Sequence, residues 1–369
     1  MSTSIGIVGL PNVGKSTLFN ALTAKGVPAE NYPFCTIDPS VGVVAVPDER
    51  LHRLADFSKT QKTIPAAIEF VDIAGLVEGA ASGAGLGNQF LSHIRECDAI
   101  LHLVRLFEPK QPDGREFTHV YGSVDPVRDA TVITMELILA DLATVTKRKN
   151  NIASDLKKGT DAAKIEDAML GRIIAAFDEG KPARVLDYSE EELPMVTRLQ
   201  LITLKPVLYG CNRLSGGLNY DKHNPEGFSK FVEYVRSTND GYVFFDAASE
   251  GDLRDMDTEE RDMLRAEMNV EGGVDDLIRG AYSLLGLDTY FTTGEKETRA
   301  WTFRRGSTAP VAAAAIHTDF EKKFIRAQVI EWDKLIEAGS FAEARNRGQL
   351  RMEGKQYIVR DGDTIEFFV

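Results

Sequence analysis

An α/β fold built on a doubly wound, mostly parallel sheet follows from three features of these 369 residues. Apolar runs of strand length alternate with segments of helical periodicity, the first run opens into a glycine-containing loop, and the alternation breaks once, mid-chain, for a long heptad-like stretch. With 43% hydrophobic residues the chain can bury a sizeable core, and its length suits two or three domains.

"SIGIVGL" is a β-branched run ending in glycine, and "TLFNALTAKG" behind it has helical spacing with a terminal glycine, which predicts strand, loop, helix. "AAIEFVDIAG", "DAILHLVRLF", "KPVLYGCN" and "GYVFFDAAS" are further strand-length runs. Between about Val127 and Leu201 the order changes. Met135, Ile138, Leu142, Val145, Lys149, Ile152 and Leu156 step alternately by three and four, a coiled-coil seam with one polar lapse. "KKGTD" supplies a turn and "DAAKIEDAMLGRIIAAF" an antiparallel return, so a two-helix arm is expected to leave the sheet domain, which resumes at "LITLKPVLYG". After "GAYSLLGLDTYFTTG" come strand-like "TRAWTF" and "QYIVRDGDTIEFFV" around helical "FEKKFIRAQVI", the texture of a small α+β domain. The expected divisions are 1–126 and 201–285 for the sheet domain, 127–200 for the inserted arm and 286–369 for the tail domain.

The net charge of −13 argues against a chain coated in phosphate-binding surface. The acid is uneven: from Gly286 to Val369 there are 13 Lys+Arg and 13 Asp+Glu, so the preceding residues carry the whole deficit and any contact with RNA is expected in the tail. Cys35, Cys97 and Cys211 lack metal-ligand spacing and read as reduced, incidental thiols. No apolar run approaches the roughly 20 residues of a membrane span. "MSTSIGIVGL" has no signal-peptide features, so the cytoplasm is the expected compartment and a membrane partner is not.

"GLPNVGKST", Gly9 to Thr17, fits G-x-x-x-x-G-K-S/T between the predicted strand and helix, the context that this phosphate-loop motif requires. Backbone N–H groups of Asn12, Val13, Gly14, Lys15, Ser16 and Thr17 can turn onto phosphate oxygens; Lys15 adds a point charge and Ser16 a hydroxyl for Mg2+. "FVDIAG" supplies D-x-x-G at the end of a second strand: Asp72 can hold magnesium through its water shell, and the Gly75 N–H can meet the γ-phosphate. Thr36 in "FCTIDP" offers a second magnesium hydroxyl, or is a turn threonine before Pro39. Gly75, Gly79, Gly83, Gly85 and Gly87 give the loop after Asp72 the freedom that a γ-phosphate-ordered switch needs.

The base is the harder question. GTPases of this type read guanine with the aspartate of an N-K-x-D segment that ends a later strand. Here "KPVLYGC" leads to Asn212, Arg213, Leu214 and then Ser215. One hydroxyl cannot accept from both N1–H and the exocyclic amine, which leaves the guanine edge partly unpaired at about 1–3 kcal/mol. Adenine has an acceptor at N1 and no amine at C2, and can give its 6-amino hydrogens to Asn212 or a carbonyl. ATP is therefore favoured and GTP weaker. The alternative is a GTPase whose base contact comes from the backbone near Ala247, Ala248 and Ser249.

These motifs, with "GLGNQFL", "DTYFTTGEKETRAWTF", "IHTDFEKKFIRA" and "YIVRDGDTIEFFV", resemble the YchF family of Obg-like ATPases over essentially the whole chain. The resemblance implies a Ras-like P-loop domain, a helical arm, a C-terminal TGS domain, ATP preference and association with ribosomes. Ser215 departs from the N-x-x-E usual in the family. Leu76 stands where Ras-like enzymes place the water-orienting glutamine, so catalysis needs another group. His119 in "FTHVYGSVDP" matches a histidine that the family is thought to swing into the site, where it could orient water or offset γ-phosphate charge. His93 and His102 read as packed or capped. Asn12 matches an asparagine that helps related GTPases hold K+ against the phosphates, which makes potassium dependence an expectation.

In the tail, Arg304, Arg305, Lys322, Lys323, Arg326, Arg345, Arg347, Arg351 and Lys355, with Trp301, Phe303 and Phe324, could hold ribosomal or transfer RNA, the arm adding a second contact. A reading from another class is a nucleotide-gated binding module in which hydrolysis is incidental; Leu76 is the feature that favours it.

Overall fold

A computed structural model describes residues 3–24, 26, 40–73, 86–252, 260, 263 and 273–369. Its strands in chain order are β1 (Ser4–Gly9), β2 (Val41–Ala45), β3 (Thr63–Ile64), β4 (Ala67–Asp72), β5 (Ala99–Arg105), β6 (Val207–Asn212), β7 (Gly241–Phe245), β8 (Leu287–Thr292), β9 (Thr298–Arg304), β10 (Arg326–Glu331), β11 (Arg351–Glu353) and β12 (Asp363–Phe368).

The first sheet runs β2-β4-β1-β5-β6-β7, and every pair is parallel except β2 with β4. β5 and β6 are buried at every residue, as central strands covered on both faces must be. β2, unexpected from the sequence, alternates burial at the edge of the sheet, which its short "VGVVA" encodes only weakly.

The arm is a 32-residue helix, Pro126–Lys157, followed by Asp161–Asp178. Asp125 caps the first helix by accepting from the Arg128 N–H, and Pro126 occupies its first turn. Ile138, Val145 and Ile152 of the seam are buried against Met169, Leu170, Ile173 and Phe177. The polar lapse at Lys149 is met by Asp167 on the returning helix, 2.6 Å away, while Met135 at the base of the seam is exposed.

The second sheet, β11-β10-β12-β8-β9-β3, corrects one expectation. "FEKKFIRAQVI" is not one helix: the helix Thr318–Lys323 stops, and residues 326–331 pair antiparallel with β12, burying Ala327, Val329 and Ile330. Thr63–Ile64, from the first part of the chain, forms the far edge of this sheet beside β9. The helix Glu49–Ser58 joins the two layers: Leu51 and Leu54 share a core with Phe291 and Leu335, and Arg50 pairs with Asp361 at 2.6 Å. Among the described residues no helix is long and apolar enough to cross a membrane.

Candidate nucleotide site

The carboxyl ends of β4, β1, β5 and β6 lie side by side in the first sheet and deliver Asp72, Gly9, Arg105 and Asn212 to one edge, where parallel α/β sheets place their ligands.

From Gly9 the chain bends into a loop in which Asn12 (φ 61°) and Gly14 (φ 83°) are left-handed, a region that asparagine tolerates and glycine enters freely. Val13 between them is fully buried and anchors the loop. The Asn212 Nδ2 donates to the Val13 carbonyl at 2.9 Å, and a Cβ on Gly14 would stand 2.4 Å from that nitrogen, so glycine is required there by space as well as by φ. Lys15 is half-buried, its Nζ donating to the carbonyls of Gly9 and Leu10 at 3.4 Å. Ser16 and Thr17 are exposed on the first turn of the helix Lys15–Ala24, where N–H groups and the helix dipole favour an anion.

Asp72 at the end of β4 has a buried Oδ1 without a hydrogen-bond partner. Burial holds its carboxyl above the usual carboxylate range, and the charge of Lys15 works against that shift. A buried oxygen left unpaired beside a cation-lined phosphate loop fits the outer shell of a divalent metal. Thr36, Gly75, Leu76, Gly79, Gly83 and Gly85 lie outside the described residues.

At the base end the structure reassigns several expected roles. Asn212 is 3% exposed, and its Oδ1 accepts from the Ala247 N–H at 3.2 Å while Nδ2 holds Val13. Its carboxamide joins the phosphate loop to the 247 turn, a positioning role beside the base-reading one expected of it. Arg213 also turns inward, its guanidinium over the Phe244 ring at 3.5 Å and 2.7 Å from Asp221, where a desolvated cation on an aromatic face is well held. Leu214 is buried, and its N–H and carbonyl are both bound by the Asn219 side chain. Asp246 went unnoticed in the sequence. It is 2% exposed and accepts four hydrogen bonds, from the N–H groups of Ala248, Ser249 and Ser215 and from the Ser249 hydroxyl. It caps the helix Ala247–Asp252 and fixes Ser215. The D-x-x-S pattern before a helix was the available signal.

His119 is buried, with both ring nitrogens engaged. Nδ1 accepts from the Tyr121 N–H at 3.1 Å, so the proton sits on Nε2 and is donated to Asp129 Oδ2, also at 3.1 Å. Burial lowers its pKa against the pull of Asp129. The ring therefore rests, neutral, against the first turns of the long arm helix. Beside its segment lies a second residue that went unremarked, Arg105, completely buried at the end of β5. An arginine inside "DAILHLVRLF" was the sign.

The tail surface is less open than expected. Arg305, Lys323, Arg347 and Arg351 already pair with Asp288, Asp319, Glu343 and Glu331. Phe303 and Phe324 are core residues packed with Tyr290, which removes them from the surface they were expected to share with the basic residues.

A left-handed glycine loop closing onto a helix, a lysine over it and a carboxylate ending the next strand define a P-loop nucleoside triphosphatase. Residues 4–136 match a family model described as "50S ribosome-binding GTPase", and residues 287–369 match the YchF C-terminal model described as "Protein of unknown function (DUF933)". The Ribosome-binding ATPase YchF of Bacillus subtilis is 47% identical over 368 residues, covering 100% of this chain and 99% of that protein. Obg-like ATPase 1 of Caenorhabditis elegans is 41% identical over 366 residues, covering 98% and 91%. The solved structure of the Schizosaccharomyces pombe YchF GTPase superimposes with a TM-score of 0.85 at 36% identity, over 100% and 98% of the two chains. The chain belongs to the YchF family.

Proposed function

We propose that this protein is a magnesium-dependent triphosphatase that prefers ATP to GTP and works as a nucleotide-gated switch on the ribosome in the cytosol. The observation that carries the base preference is how the polar groups at the base end are used. The N–H groups of Ala247, Ala248 and Ser249, which a guanine O6 would need, are spent on Asn212 and Asp246, and the carboxylate of Asp246 is saturated by four donors. Guanine would bring the ring N1–H, the exocyclic amine and the O6 acceptor to a surface with little to offer them; adenine brings fewer demands. The same saturation disfavours a GTPase that reads its base through the 247–249 backbone. The names of the relatives, Ribosome-binding ATPase among them, support both the nucleotide and the partner.

Lys15 and the N–H groups of residues 12–17 would hold the phosphates, and Ser16, Thr36 and Asp72 the metal, which when bound offsets the charge of the β- and γ-phosphates. The Gly75 N–H would sense the γ-phosphate. His119 would leave Asp129, and the Nδ1 lone pair released from Tyr121 could then orient the attacking water. Asn12, exposed on the crest of the loop, suits a K+ site; equal turnover in sodium and potassium would remove that part. Competition of ATP and GTP against a fluorescent nucleotide tests the base preference: tighter ATP is expected, and strong preferential capture of GDP over ADP ends the proposal. A gated binding module with incidental hydrolysis is favoured by one observation, the full engagement of His119. If ribosome co-sedimentation follows the bound nucleotide and ignores loss of His119, that second reading holds.

A further inference from the structure

Arg105 is the largest fully buried side chain among the described residues, and none of their carboxylates forms a salt bridge with it. Its guanidinium is solvated by peptide carbonyls. Nε donates to Phe107 at 2.9 Å; one terminal nitrogen donates to Thr118 at 2.9 Å and Asn12 at 3.4 Å; the other donates to Phe117 at 3.3 Å. The cation lies 4.1 Å from the centre of the Phe107 ring and 5.8 Å from that of Phe117. Burial pushes its pKa down to about 10, with Glu108 and Asp129 pulling the other way. A buried charge is costly, and an apolar side chain of similar size would fill the space more cheaply. What the charge does achieve is specific: it grips one carbonyl of the phosphate loop and two carbonyls of the segment that carries His119.

In a planar trans peptide the C=O and the following N–H point in opposite directions. A donor on the Asn12 carbonyl from behind therefore aims the Val13 N–H away from Arg105, just as Asn212 on the Val13 carbonyl aims the Gly14 N–H. Two neighbouring strand ends thus set two successive peptide planes of the loop, and the one from β5 also sets the His119 segment.

We propose that Arg105 is a positioning residue for hydrolysis, its guanidinium fixing the Phe117–His119 segment against the phosphate loop through the carbonyls of Asn12, Phe117 and Thr118. The inference rests on the role given above to His119. Lysine in place of Arg105 keeps the charge but cannot span three carbonyls.

The test measures kcat, KM and fluorescent-nucleotide affinity for the full chain and for Arg105→Lys, His119→Ala and the double variant. Arg105→Lys is expected to lower kcat about tenfold with nucleotide affinity changed less than threefold. In the His119→Ala background it should add less than a twofold loss, since both changes remove the same positioned group. Independent, multiplicative losses, or a loss confined to KM, overturn the proposal. Loss of turnover in His119→Ala with none in Arg105→Lys overturns this inference alone; undiminished turnover in His119→Ala overturns the histidine's role and the link with it. Should Arg105→Lys fail to fold, Phe117→Leu, which loosens the seat of the guanidinium at a half-buried position, is expected to lower kcat about threefold, and an unchanged kcat there overturns the proposal equally.

Discussion

At the phosphate loop, side chains grip backbone carbonyls from behind and so turn the N–H groups that follow the other way. At the base end they do the reverse and consume the backbone donors themselves. Asn12 and Val13 have their carbonyls held by Arg105 and Asn212, whereas the N–H groups of Ala247, Ala248 and Ser249 are taken by Asn212 and Asp246. Affinity is therefore expected to reside at the phosphates, where it is blind to the base, and discrimination at the purine, where it comes from groups withheld. Variants at the two ends should separate these quantities.

The largest effect is expected from Lys15→Ala. The ammonium lies on the Gly9 and Leu10 carbonyls and works against the upward shift of the Asp72 pKa, so its removal deprives the phosphates of their point charge. Turnover should fall about a hundredfold or more, for ATP and GTP alike, with the thermal melt little changed. Undiminished turnover would dissolve the phosphate end as drawn.

Asn212→Ala is the intermediate case and the sharper one. Its two hydrogen bonds, each worth about 1 kcal/mol, connect the ends, so ATP affinity should drop about tenfold, while the Ala247 N–H that the change releases can meet a guanine O6 and GTP should lose less, narrowing the ratio. An equal loss for both nucleotides would show that the Ala247 N–H plays no part in the preference.

The two ends also differ in how plainly the sequence spells them. The phosphate loop is nine consecutive residues whose types and spacing carry the chemistry, and both left-handed positions, Asn12 and Gly14, fall on residues that accept that conformation. The place of Asp72 was equally legible, because an apolar run that stops at an aspartate before a glycine turn marks where β4 ends. The base end depends on pairs far apart in the chain: Asn212 with Ala247, Ser215 with Asp246, Arg213 with Asp221 stacked on Phe244. Motif reading could place Asn212 and Arg213 at the site but not tell which way their side chains turn. Arg105 was hidden by its neighbours, since an apolar run reads as a strand whatever cation ends it. Likewise β10 was masked by "FEKKFIRAQVI", whose first half is helical and whose second half alternates only once Phe324 is passed.

Ser249→Ala carries the smallest effect and bears most directly on discrimination. The Ser249 hydroxyl donates to Asp246 Oδ2 at 2.6 Å, the oxygen that also receives the Ser215 N–H at 2.7 Å. Removing the hydroxyl leaves a buried lone pair short of one donor, so the fold should lose about 1 kcal/mol, read as a lower midpoint in urea with an unchanged slope. It also restores to the base end an unspent anionic acceptor next to Ser215, which guanine can use through its amino hydrogens and adenine, at its N1–C2 edge, cannot. ATP affinity should change less than twofold while GTP tightens a few-fold, narrowing the preference. If the urea midpoint falls and the ratio of the two nucleotides does not move, Asp246 serves the loop alone, and the preference for ATP must be sought elsewhere in the pocket.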